Sequence, residues 1–272
     1  MPNISHPTLD TWVKIFSMLI FKLLLTPTLI ALVSLASRRW GPMVSGWLVG
    51  LPLTSAPVVL FLALDYGTTF AAHAAQGTLL GLISVGAFCL TYSWLSMRLN
   101  WPGSILVGWI VFFIVTAMLE QFSVSLLLAF VSVVGTLALV LILLPRQQSM
   151  VAIVQPPRWE ILLRMVVATT FLLVLTSIAS LLGPQLSGLL TPFPMYASIL
   201  AVFTHHFQDA GAARRLLRGV VVGSFTFAIF FLLVATLIER WGIVTAFSIA
   251  TLVSLLVHGG SLFVLRRKKT TL

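Results

Sequence analysis

Apolar residues run along this chain in stretches of about 20 or more, separated by short clusters of glycine, proline and charge. Nine stretches have the length of a bilayer crossing, roughly 12–36, 43–64, 70–97, 103–119, 123–144, 159–182, 187–207, 216–238 and 242–265. A helix satisfies its own backbone groups, as hydrocarbon demands, and no strand-like alternation competes with it. The pattern therefore predicts an all-α polytopic membrane protein with nine transmembrane helices. Between the fifth and sixth stretches, residues 145–158 lose hydrophobicity and carry prolines. They divide the chain into a unit of five spans (1–144), a cytoplasmic linker (145–158) and a unit of four spans with a basic tail (159–272).

Composition agrees. With 59% hydrophobic and 8% charged residues, and a mean hydropathy of +1.10, a soluble domain would have almost nothing polar to present to water. The net charge of +10 is explained by topology. With the N-terminus outside, Arg38, Arg39, Arg98, Arg146, Arg158, Arg164, Arg214, Arg215, Arg218 and Arg266–Lys269 fall in or near cytoplasmic connections, leaving Lys14 and Arg240 outside. Asp10, Asp65, Glu120 and Glu239 sort to the outside, against Glu160 and Asp209 inside. This bias predicts N-out, C-in. Charge scattered over short loops does not make a nucleic-acid surface; anionic lipid headgroups are the expected partners of Arg214, Arg215, Arg218 and the Arg266–Lys269 tail. The first stretch exceeds a signal-peptide core and is followed by Arg38 and Arg39, which points to a retained helix in a bacterial-type inner membrane. Cys89 is the sole cysteine, so neither a disulfide nor a thiolate metal cluster is expected, and no cofactor.

The chain also repeats its own centre. Residues 41–81 and 183–223 align without a gap at an offset of 142, with identities at Gly41/Gly183, Pro42/Pro184, Ser45/Ser187, Gly46/Gly188, Pro52/Pro194, Gly77/Gly219 and Gly81/Gly223. Five predicted spans separate the copies, so the second enters the membrane from the opposite side and the repeat is inverted. Many secondary transporters are built this way, because two similar halves related by an in-plane axis can open one central site to either face. Each copy carries a proline-interrupted span: Leu51-Pro52-Leu53-Thr54-Ser55-Ala56-Pro57 in the second, and Thr191-Pro192-Phe193-Pro194-Met195-Tyr196-Ala197-Ser198 in the seventh. A proline removes a donor and frees carbonyls, which makes Pro52, Thr54, Ser55, Pro192, Pro194, Tyr196 and Ser198 candidate binding residues; ordinary helix kinks are the plainer alternative.

Lys22 stands about ten residues into the first span, roughly 15 Å below its boundary. An ammonium at that depth is expensive and marks pathways by default. No carboxylate occurs at matching depth, so Lys22 is neutral, or is met by carbonyls, water or an anionic substrate. His258 in the ninth span is a candidate proton carrier, with a hydrogen bond to Ser254 as the structural alternative. The run His205-His206-Phe207-Gln208-Asp209 lacks supporting ligands and reads as an interfacial helix end rather than a metal site. Gly77/Gly81 and Gly219/Gly223 form GxxxG steps for close helix packing. No Walker-type lysine is present, and Ser45 and His73 begin spans at opposite faces, so enzyme readings fail.

Residues 186–265 resemble the small four-helix GlpM family of bacterial inner-membrane proteins, through Gly188, Leu189, Pro192, Pro194 and Ala197. The resemblance implies a helical membrane module and carries no assigned activity; the departure is the inverted partner unit fused ahead of it. Together these readings lead to an inverted-repeat secondary transporter of a small organic anion or anionic lipid carrier. The alternative is a non-transporting membrane module that supports envelope lipid or polysaccharide synthesis. Oligomeric state, coupling ion and direction are not legible.

Overall fold

The computed structural model describes residues 47–52, 54–145 and 159–267, together with Ile20, Leu24, Pro27 and Thr28; side chains at 160, 164, 168, 171, 172 and 261–267 are excluded. Every regular element among the described residues is helical. A short helical stretch at 47–49 precedes α1 (Ser55–Tyr66), α2 (Thr68–Leu95), α3 (Trp101–Glu120), α4 (Leu126–Leu143), α5 (Trp159–Leu190), α6 (Met195–Phe207) and α7 (Ala210–Arg267). Five helices are long and apolar enough to cross a membrane, which is the architecture of a membrane-spanning helical protein.

Two of these helices are hairpins drawn as one. Gly183 interrupts α5 at φ 75°, ψ 171°, and Gly242 interrupts α7 at φ 74°, ψ 173°. That backbone region is open essentially to glycine alone. In a straight helix Ser187 and Ala179 would lie about 12 Å apart, yet Ser187 Oγ donates to Ala179 O at 3.4 Å. Likewise His258 Nδ1 lies 3.1 Å from Thr226 Oγ1, and the Phe230 and Phe247 rings are 5.9 Å apart. The chain therefore turns back on itself at both glycines.

Burial separates interior from periphery. Along its most apolar stretch 67% of α2 is buried, against 22% for each of α3 and α4, so α2 lies inside and α3 and α4 present apolar side chains outward. Leu79, Phe88 and Tyr92 of α2 share one core with Val133 and Leu137 of α4 and with Phe230 and Phe231 of α7. Contacts also sort the molecule into two ends. At one, Tyr92 OH meets His205 Nδ1 at 3.2 Å, Trp94 Nε1 donates to Leu143 O at 3.2 Å, and Trp101 lies edge-on to His206. At the other, Gln185 Nε2 donates to Glu120 O and Phe122 O, and Gln76 Nε2 to Val124 O at 2.6 Å. Such side-chain bonds between membrane helices are each worth on the order of 0.6–2 kcal/mol, and here they tie loops to helices.

The centre is held by backbone contact. A Cβ on Gly81 of α2 would lie 2.5 Å from Pro192 Cγ and 2.7 Å from Leu189 O. One on Gly223 of α7 would strike Trp47 O and the backbone of Gly50. Trp47 and Leu189, Gly50 and Pro192, and Gly81 and Gly223 are each 142 residues apart, so the two contacts exchange under the offset that relates the sequence copies. Gly81 and Gly223 thus do pack closely as the GxxxG steps suggest, each against the interrupted region of the other sequence copy.

Candidate functional site

Both proline-bearing segments break their helices. After 47–49 the chain turns through Gly50 and Leu51, whose N–H groups donate to Trp47 O and Leu48 O, and helix resumes at Ser55. After Leu190 it turns through Thr191 to Pro194 and resumes at Met195. Pro57 in the first turn of α1 has no N–H to give, and neither restart receives a side-chain cap, at Thr54 or at Pro194. Each restart is a helix N-terminus whose first amides carry partial positive charge in an apolar surrounding.

The two breaks meet. Ser55 Oγ donates to Thr191 O at 3.2 Å across a separation of 136 residues. Together they line a cavity of about 40 Å³, room for a few water molecules. Most of the lining pairs at the offset of 142, with Gly50 matched to Pro192, Leu51 to Phe193, Thr54 to Tyr196 and Ser55 to Ala197, while Val49, Pro194, Met195 and Val220 have no counterpart in it. The crossing helices add Leu82 of α2 with Ser224 of α7, and Val85 with Phe227, also paired. Ser224 Oγ is spent on Val220 O at 2.9 Å. With the Ser55 proton likewise given to Thr191 O, the polar chemistry on offer is the neutral hydroxyls of Thr54 and Tyr196 beside two helix N-termini, a surface that favours negative charge.

Of the residues expected from sequence, Thr54, Ser55, Pro192, Pro194 and Tyr196 line this cavity. Pro52 lines an adjacent groove instead. Ser198 lies away from the cavity lining, accepting a 2.9 Å hydrogen bond from Trp109 Nε1. Lys22 lies outside the described residues, as does the side chain of Arg164. His258 is buried, its ring stacked on Trp47 with centroids 3.4 Å apart, and its hydrogen bond goes to Thr226 on the facing arm of the α7 hairpin rather than to Ser254. No group of three or more metal-binding side chains occurs among the described residues. His205 and His206 line an open hollow with Asn100, Trp101 and Pro102 at the end where Asp209 caps α7 through Ala212 N. Arg214, Arg215 and Arg218 occupy the first turns of α7 at that same end.

Sequence reasoning missed Leu82, Val85, Ser224 and Phe227. The signal that finds them is the register itself: 82 and 85 follow the end of the aligned copy, and their partners 224 and 227 follow the end of the other. Comparison with protein-family models, curated proteins and solved structures gives no match for this chain.

Proposed function

We propose that the protein is a secondary transporter built as an inverted repeat of five plus four spans, moving a small organic anion or an anionic lipid carrier by alternating access. The observation that carries this reading is the cavity itself: two broken helices, each uncapped at its restart, meet around a lining most of whose residues pair at one offset, with Val49, Pro194, Met195 and Val220 unmatched. Discontinuous helices in matching positions are where such transporters hold substrate, half-helix N-termini facing its negative charge. At about 40 Å³ the cavity is too small for an organic anion until one half moves against the other. On the alternative reading, as a scaffold for envelope synthesis, nothing requires lining residues to match in pairs.

In this proposal the chain crosses a bacterial inner membrane nine times, N-out and C-in, with Arg214, Arg215 and Arg218 and the Arg266–Lys269 tail among cytoplasmic headgroups. The GlpM-like segment forms the second unit, and four-helix relatives would assemble as antiparallel dimers to reproduce both units. In a chain with Cys89 replaced, single cysteines after residues 40, 148 and 210 should all react with an impermeant reagent from the cytoplasmic side. Labelling at 148 from the opposite side would turn the second unit over and remove the inverted repeat.

Lys22 supplies the charge that the described cavity lacks. Lys22→Ala should leave expression near normal while lowering anion-dependent uptake about tenfold or more. Lys22→Arg should recover part of it, because the charge stays while the fork geometry differs. Uptake by Lys22→Ala equal to wild type for every anion tested would remove lysine from the site.

A further inference from the structure

We infer that the substrate is an anionic amphiphile, its hydrocarbon chain reaching the site laterally through a groove between α1 and the second arm of α7 while its charged head occupies the central cavity; this rests on the transport reading above. The groove is apolar, about 210 Å³, and shares Leu51 with the cavity as a common wall. Thr251 and Leu255 form its outer lip beside Leu252 and Leu256, all exposed, so it opens on a surface that lipid chains contact. Thr251 follows Gly242 by nine residues, about 14 Å of helix, which sets the opening near mid-depth in a hydrocarbon core of about 30 Å.

Two further observations distinguish this groove from a packing defect. Ser254 Oγ is buried in its wall, the residue only 3% exposed, without a hydrogen-bond partner among the described residues. A buried hydroxyl left unmet in an apolar wall is costly, and the polar head of an amphiphile meets it on its way through the groove to the cavity. The corresponding place in the other half is filled. At an offset of 142, Leu51, Thr251, Ser254 and Leu255 become Phe193, Trp109, Phe112 and Phe113. Those four rings pack together, Phe193 lying 5.3–5.8 Å from each of the others, and Trp109 bonds Ser198. One lateral opening is therefore plugged by aromatic rings, while its counterpart is left open by small and aliphatic side chains. A small water-soluble anion needs no such opening; an amphiphile already in the membrane does.

The test uses the full-length protein in phosphatidylcholine nanodiscs, with farnesyl monophosphate, farnesol and inorganic phosphate as probes. Farnesyl monophosphate should bind more tightly than either. Thr251→Trp, which copies the plug at Trp109, and Leu255→Phe, which copies Phe113 at an exposed position, should each weaken it about tenfold or more. Unchanged binding by both variants, farnesol binding as well as its phosphate, or inorganic phosphate competing at equal concentration would each overturn the inference. In vesicles, a wild type that binds farnesyl monophosphate without moving it upholds the amphiphile and sinks transport. Small-anion uptake in the absence of any farnesyl monophosphate binding upholds transport and overturns the amphiphile.

Discussion

Replacing Gly223 or Gly81 by leucine should strongly destabilise the protein. At both positions a side chain would meet backbone, not a rotatable side-chain end: Trp47 O and Gly50 at Gly223, Leu189 O and the Pro192 ring at Gly81. Neither partner can withdraw, because each belongs to a break held by its own turn hydrogen bonds, Gly50 N to Trp47 O and Thr191 N to Ser187 O, both 3.1 Å. Overpacking costs typically 1–3 kcal/mol where side chains can yield, and here about 3 kcal/mol or more, much of the stability of an average domain. The expected result is loss of the monodisperse peak in detergent, or a Tm lowered by about 6–12 °C, on the order of what that free energy produces. Gly135→Ala is the control, since α4 leaves open space around that glycine and alanine gains up to about 1 kcal/mol of helix propensity. Leucine tolerated at Gly223 and Gly81 would mean that the breaks do not dock on α2 and α7.

The second large effect falls on activity with the fold retained. Thr54→Trp should reduce uptake to background, because an indole at that wall exceeds the roughly 40 Å³ available and blocks the space between the breaks. Overpacking should cost about 1–3 kcal/mol, which leaves the protein folded. Thr54 makes no capping bond to the start of α1 and is only partly buried, so no hydrogen bond is forfeited. Tyr196→Trp, at the paired position, adds less volume and should cost less. Full uptake with a folded Thr54→Trp protein would move the substrate path elsewhere.

Helix existence and the two breaks were legible because their causes are local: length, apolar content, and prolines that no continuous helix accommodates. The paired lining was legible in outline for the same reason, since Thr54, Ser55, Pro192, Pro194 and Tyr196 sit on the breaks themselves. Ser198 fell outside because it lies one turn past the restart of α6, and its neighbour Trp109 belongs to a helix 89 residues away. Local spacing offers His258 only Ser254 as a structural partner, whereas its hydrogen bond goes to Thr226 across a hairpin that turns at Gly242. The GxxxG steps announced close approach without naming a partner, because small residues carry no information about what they contact. Nor does sequence reveal which of two matching grooves is filled: that depends on how Phe193, Trp109, Phe112 and Phe113 stack in three dimensions.

One measurement bears on alternating access most directly. With Cys89, itself buried, replaced by alanine, Thr54→Cys and Tyr196→Cys are made singly in the membrane-embedded protein and treated with a small impermeant thiol reagent from one face or the other. A single site that opens in turn to both sides predicts that each cysteine reacts from either face, and that substrate slows both reactions together. Reaction of both cysteines from the same single face, whatever the substrate, would contradict it.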